Sequence, residues 1–298
     1  MLLLDSRGHV WALGDPCASG VSLSAGAAEL VRPVRVGALS RTRLAKVDCG
    51  NGHSVALAAN GDVFTWGLVL GRAGTKCAGW LLPDTRRALA GEATDVAAGE
   101  SHLAVTSITG DTYVWGRNHY GQCAQDPASP GACSFPAPML AGGELQGYEA
   151  RRVACGRYHT AVLSSDGSVF TFGAGMSGQL GRAPGACAPW QPARVPLPGP
   201  CPALVVQVAC GGEHTLCLTD GGRILAFGSG GCGQLGDGSV RSHRAPTWVR
   251  TLTGIQEVVA GSDWSLLRCR LGRVYLAGKS SDGGDDGCLL RQGAAPPY

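Results

Sequence analysis

The stretch VACGRYHTAVLSSDGSVFTFG, running from Val153 to Gly173, admits two readings. In one, Cys155 is a nucleophile, His159 its base and Asp166 the group that orients the base, which would make the chain an enzyme. In the other, the stretch is one copy of a structural unit whose cysteine and histidine are there for packing. The rest of the chain decides between them.

Four relatives of this stretch occur elsewhere: VDCGNGHSVALAANGDVFTWG from Val47, VAAGESHLAVTSITGDTYVWG from Val96, VACGGEHTLCLTDGGRILAFG from Val208 and VVAGSDWSLLRCRLGRVYLAG from Val258. Every copy has glycine at its fourth position: Gly50, Gly99, Gly156, Gly211 and Gly261. A second glycine follows 11 residues later (Gly61, Gly110, Gly167, Gly222, Gly272) and a third 17 residues later (Gly67, Gly116, Gly173, Gly228, Gly278). Residues 1–14 carry half a copy, with Gly8 and Gly14 six apart. Successive first glycines are separated by 49, 57, 55 and 50 residues, so a unit of about 50 residues accounts for nearly all of the 298. The repeat cores are 47–67, 96–116, 153–173, 208–228 and 258–278, and residues 1–298 read as a single domain. Residues 279–298, with Asp282, Asp285 and Asp286 among glycines, are expected to form a mobile tail.

Each unit reads as a β-hairpin. Asn60-Gly61, Asp166-Gly167 and Gly221-Gly222 are two-residue turn signals that permit the positive φ of primed turns. Apolar runs such as His159–Leu163 precede them, and β-branched and aromatic runs such as Val169–Phe172 follow. Three copies continue with Gly-Gln and a small or apolar pair, at Gly121-Gln122, Gly178-Gln179 and Gly233-Gln234. A lone hairpin cannot bury a face, so the units must share a core. Radial stacking into an all-β propeller of about six blades, with seven as the alternative, leaves few free strand edges.

These residues resemble the repeat of the regulator-of-chromosome-condensation (RCC1-type) family. Its pattern is a small pair, Gly, two residues, His, Ser/Thr and apolars, then a turn Gly, Trp-Gly and Gly-Gln-Leu-Gly. Val153–Leu163 and Val208–Leu218 carry the histidine-centred part, and the resemblance covers about residues 1–278. WD repeats fit less well, with a period nearer 40–45 and a Trp-Asp ending where this chain has Trp66-Gly67 and Trp115-Gly116. Founding members of the family have seven blades. Two departures stand out: LVLGRAGTK follows Gly67 in place of Gly-Gln, and Trp264 stands where histidine is expected.

The repetition answers the opening question. His53, His102, His159 and His214 all lie three residues after a first glycine. A general base is needed once, whereas four copies around a ring are expected to be buried polar knots bonded to backbone near the turn. Cys49, Cys155 and Cys210 alternate with Ala98 and Ala260 at a position that wants a small apolar group. Gly173–Gly178 and Gly228–Gly233 fit G-x-G-x-x-G, but Gln-Leu-Gly follows where a phosphate-binding helix must begin. No C-x-x-C occurs. Neither cofactor nor metal is expected.

Composition agrees. Charged residues are 16% and glycines number 47, which suits short strands and tight turns; 44% hydrophobic residues argue against disorder. The net charge of +3 is too small to announce a nucleic-acid binder, leaving chromatin contact weakly supported. The 13 cysteines are odd in number, and MLLLDSRG lacks the shape of a signal peptide. Reduced thiols in the cytoplasm or nucleus, and no membrane span, are the expectation.

Surface groups remain as candidates for partner binding. Residues 32–46 carry Arg32, Arg35, Arg41, Arg43 and Lys46 with no acid, and Trp264 is out of pattern. The expected function is a non-enzymatic scaffold holding a protein partner on the loops of one propeller face. The resemblance implies an alternative, guanine-nucleotide exchange on a Ran-type small GTPase. It also reaches the plant ultraviolet-B photoreceptor, but the tryptophan-rich motifs of that protein are replaced here by Asn51-Gly52, Glu100-Ser101, Arg157-Tyr158 and Gly212-Glu213.

Overall fold

A computed structural model of the chain describes residues 2–14, 30–68, 76–77, 91–129, 137–138, 143–185, 187–199, 204–279 and 291–293. The strands come in the order the repeat demands. Sheet 1 holds β1 (Leu2–Leu4), β2 (Val10–Gly14) and β3 (Leu30–Arg35). Sheet 2 holds β4 (Leu44–Cys49), β5 (His53–Ala58), β6 (Val63–Leu68) and β7 (Lys76–Cys77). Sheet 3 holds β8 (Ala93–Ala98), β9 (His102–Ser107), β10 (Thr112–Gly116) and β11 (Ala137–Pro138). Sheet 4 holds β12 (Ala150–Cys155), β13 (His159–Ser164), β14 (Val169–Gly173) and β15 (Ala193–Arg194). Sheet 5 holds β16 (Val205–Cys210), β17 (His214–Thr219), β18 (Ile224–Gly228) and β19 (His243–Val249). Sheet 6 holds β20 (Ile255–Ala260), β21 (Trp264–Cys269), β22 (Val274–Gly278) and β23 (Arg291–Gly293). All pairings are antiparallel between neighbours in sequence, so the chain is an all-β propeller with six blades among the described residues.

Within the stretch expected to be a mobile tail, Arg291–Gly293 pairs with Val274–Leu276 as the fourth strand of blade 6. Asp282, Asp285 and Asp286 lie outside the described residues, as does most of the LVLGRAGTK segment.

The core is a series of junctions between blades. One apolar cluster joins Leu163 and Val169 of blade 4 to Leu225 and Phe227 of blade 5; another joins Leu216 and Ile224 to Val258 and Leu267 of blade 6. That explains why the second strands are buried at every position: β5, β9, β13 and β17 have a blade on each face. The first strands β4, β8, β12, β16 and β20 converge on a central cavity of about 790 Å³. Each of these five carries a β-bulge one residue after its start, at Ala45, Thr94, Arg151, Val206 and Gln256. The skipped residue is exposed in every case, as expected where a bulge bends a strand at a barrel-like rim.

The hairpin turns differ from expectation. A primed type I turn needs positive φ at both central residues, yet Ala124 is the one non-glycine with positive φ among the described residues. Gly61 donates its N–H to Ala58 O (3.0 Å) while Ala58 donates to Asp62 O (2.8 Å), and Gly167 and Gly222 repeat this. These are type I turns followed by a left-handed glycine in a bulge, with φ of +82°, +82° and +72°. Asn-Gly and Asp-Gly suit both turn classes. Here the aspartate holds the bulged class, Asp166 Oδ1 accepting the Ser168 N–H at 3.0 Å.

Candidate interaction surface at the channel mouth

Four of the five first glycines, Gly50, Gly99, Gly156 and Gly211, sit where two blades nearly touch. A Cβ on Gly156 would lie 2.5 Å from the Gly211 carbonyl and against the His159 ring; Gly50, Gly99 and Gly211 meet their own histidine rings and the next glycine's carbonyl likewise. No other residue fits. The glycine N–H donates to the carbonyl of the histidine three residues on, at 2.8–2.9 Å, closing the loop between first and second strands.

The histidine rings reach across the junction. His102 Nε2 lies 3.0 Å from Thr160 Oγ1 of the next blade, and that hydroxyl donates to Gln122 O at 2.9 Å, back in blade 3. His159, Thr215 and Gln179 repeat the relay at 2.9 and 2.9 Å, and His214, Ser265 and Gln234 at 2.9 and 2.7 Å. Because each hydroxyl proton is committed to a carbonyl, the imidazole must donate to the hydroxyl and is the neutral Nε2–H tautomer. The glutamine side chain shapes its own loop, accepting from the N–H two residues earlier in all three copies. In these three copies Nε2 bonds a hydroxyl of the neighbouring blade; at His53, where Leu103 occupies the hydroxyl position, the imidazole bonds the backbone of Asn51 and His102.

Burial holds these imidazoles neutral, at about 3 for His102 and His159 and about 4 for His53 and His214. It also pushes the Cys210 thiol up to about 12 and the Cys155 thiol well above its usual range. Cys155, His159 and Asp166 are not brought together: His159 is committed to Thr215, and Asp166 bonds Ser164 and Ser168 in the hairpin turn. Gly173–Gly178 leads into turns, and the described residues contain no α-helix to hold a phosphate. No cluster of three or more His, Cys, Asp or Glu among the described residues could hold a metal ion.

Further ties cross the channel wall. Asp95, buried, takes Lys46 Nζ from blade 2 at 2.6 Å and the Val153 N–H of blade 4 at 3.0 Å. Asp48 accepts the Ala98 N–H at 2.9 Å. The basic stretch is therefore divided. Lys46 belongs to this wall, whereas Arg32 and Arg35 are exposed on β3 and Arg41 and Arg43 are exposed before β4. Trp264 is half-buried, its ring over Gly261 as the histidine rings lie over theirs.

Where the first strands end, the loops form the mouth of the channel. Arg157 Nε meets Glu100 at 2.8 Å and its Nη2 reaches Ser262 Oγ of blade 6 at 3.2 Å. Tyr158 donates its hydroxyl to Glu100 at 3.1 Å and its ring lies 4.8 Å from that of Tyr120. Tyr120 and Met176, in equivalent loops of blades 3 and 4, are 46% and 81% exposed. Sequence reasoning missed this group, because Glu100 and Arg157 belong to different repeats and only the ring brings them together.

A model of the RCC1-like domain matches residues 10–289. The chain is 36% identical over 233 residues to the human probable E3 ubiquitin-protein ligase HERC4, covering 76% of this chain and 21% of that protein. It is 31% identical over 249 residues to the Arabidopsis thaliana RCC1 domain-containing protein RUG3, mitochondrial, covering 78% of this chain and 53% of that one. The chain thus spans a fifth to a half of the length of these relatives. Among solved structures, Prp20p of Saccharomyces cerevisiae superposes with a TM-score of 0.77 at 21% identity, over 93% of this chain and 69% of that one. Human WBSCR16 gives the same TM-score at 23% identity, over 93% and 74%. Repeat, blade and junction lead to one conclusion: the chain belongs to the RCC1-like domain family of β-propellers.

Proposed function

We propose that this propeller is an intracellular, non-enzymatic scaffold that holds a protein partner on the loops at the channel mouth. The observation that carries this reading is the contact of the Tyr120 and Tyr158 rings beside the Arg157–Glu100 ion pair, with Tyr120 and, in the equivalent loop of blade 4, Met176 exposed, since aromatic, Met and Arg side chains are what protein interfaces concentrate. It is supported by the state of the repeat's own titratable groups, with the histidines neutral and Cys155 and Cys210 protonated. No disulfide joins Cys49, Cys155, Cys187, Cys210, Cys217, Cys232 or Cys269 to another of them, in keeping with a reducing compartment, and among the described residues no helix is long and apolar enough to cross a membrane.

The second reading, exchange of guanine nucleotide on a Ran-type GTPase, draws on the likeness to Prp20p, which was studied for its binding to Gsp1p and histones. Release of a fluorescent guanine nucleotide from such a GTPase separates the two. Acceleration at catalytic concentrations of the propeller would replace the scaffold reading. With no acceleration, the scaffold reading requires that Tyr120→Ala with Arg157→Ala lower partner retention in a pull-down by about tenfold, as loss of a central anchor does.

A further inference from the structure

The two ends of blades 3 to 5 differ in the charge they show to solvent. At the channel mouth, Arg117, Arg241 and Arg244 are exposed and free of ion pairs among the described residues. Arg117 donates its N–H to Ser101 O at 2.8 Å. A Cβ on Gly230 would meet the Arg241 carbonyl, and one on Gly178, in the loop that carries Met176, would meet the Arg244 backbone. The carboxylates of the neighbouring loops are part-buried and already bonded. Glu100 holds Arg157 and Tyr158, Glu213 accepts from Ser177 Oγ at 2.7 Å and Asp263 from Ser262 Oγ at 3.4 Å. The exposed carboxylates Glu92, Asp111, Glu149, Asp166 and Asp220 lie in or beside the hairpin turns, at the other end of the blades.

Arg157 stands at the centre of the mouth. Its side chain is 39% exposed and spans from Glu100 of blade 3 to Ser262 of blade 6. Nε and Nη2 are each engaged, while Nη1, with both of its N–H groups, has no partner among the described residues. A carboxylate arriving from solvent completes the bonding of such a guanidinium.

We propose that the partner presents an extended acidic segment to this face. One carboxylate meets Arg157, others meet Arg117 and Arg244, and an apolar side chain between them packs on Tyr120 and Met176. The proposal rests on the scaffold reading and adds the chemistry of what is held. Charge complementarity selects a peptide over a nucleic acid. Evenly spaced phosphates meet Glu100, Glu213 and Asp263 as often as the arginines, whereas a peptide can place neutral residues opposite them.

The test uses the intact chain and a fluorescent peptide of glutamates around a single phenylalanine. The same peptide with glutamine for glutamate and a fluorescent DNA duplex are measured beside it. Anisotropy should rise with the glutamate peptide, fall with added salt, and require about tenfold more of the glutamine version. Arg117→Glu and Arg244→Glu should each weaken binding by about tenfold, and Arg157→Lys, which keeps the charge but not the planar fork, by about threefold. Arg151→Glu, at the hairpin-turn end of β12, should leave it unchanged. Equal binding of the two peptides overturns the proposal, as does binding that ignores the mouth variants. So does the absence of binding up to about 1 mM peptide, the weak limit of specific recognition. Tighter binding of the duplex makes the ligand a nucleic acid, and self-association abolished by Arg244→Glu makes it a second copy; either result overturns the acidic segment. The two readings fail separately. A partner released by Tyr120→Ala with Arg157→Ala, but not by Arg117→Glu or Arg244→Glu, leaves the scaffold standing and overturns only its acidic ligand.

Discussion

At the scale of single residues, the junction hydroxyls are the sharpest points of failure. Thr160→Val keeps the shape but leaves the His102 Nε2–H and the Gln122 carbonyl facing a methyl group. Two buried polar groups without partners cost about 2–4 kcal/mol, whereas Thr160→Ser, which keeps the relay, should cost about 1 kcal/mol; urea unfolding of the two variants checks the difference. His159→Ala should lower stability by about 2–4 kcal/mol through the same loss and a cavity. A fully stable His159→Ala protein that has lost one discrete activity would overturn the structural role. The histidines also fix the response to acid. Their folded values of about 3–4 lie below the ordinary 6.5, so the unfolded chain takes up protons that the folded chain cannot. Stability is full above about pH 7 and falls below pH 6.5 by about 1.4 kcal/mol per histidine per pH unit, down to the folded values. A denaturation midpoint that does not move between pH 7.5 and about 5.5 would contradict this.

At the scale of the element, the glycines explain what could be read in advance. Gly167 needs positive φ and Gly156 needs the absence of a Cβ, so the 11- and 17-residue spacings are imposed by the backbone and survive where side chains vary. Gly167→Ala should cost about 1–2 kcal/mol from the left-handed backbone, with contact on Leu204 added. Gly156→Ala should cost more, since its methyl would press on the Gly211 carbonyl and the His159 ring at once; thermal unfolding of the two variants ranks them. The turn class was not legible, because Asp-Gly serves a primed turn and a type I turn with a bulge equally well. Nor were the bulges at Thr94 and Arg151, which no special residue marks and which arise from bending the strand into the ring. The junction relay was half visible: the histidines and glutamines recur in phase, but the hydroxyls that join them lie on the next blade, 51–58 residues from the histidines and 31–38 from the glutamines.

At the scale of the whole molecule, stability is a sum over neighbouring blades, and blades 1 and 6 are each flanked on one side only among the described residues. Their backbone amides should exchange with solvent before those of β13 and β14, which have a blade on either face; hydrogen exchange resolved by blade tests this, and uniform protection would contradict it. The junction relay has a further consequence. Each blade from the third to the fifth presents one half of a joint on one side, the histidine and glutamine, and blades 4 to 6 present the other half, the hydroxyl. Both halves come from a single stretch of about 50 residues, so duplicating that stretch creates a matched plug and socket in one event. Ring size can therefore drift by whole units without any new joint having to be invented, and selection acts on the terminal members alone. Blade 6 shows half of such a change: the socket is kept at Ser265, and Trp264 stands where the plug histidine would be.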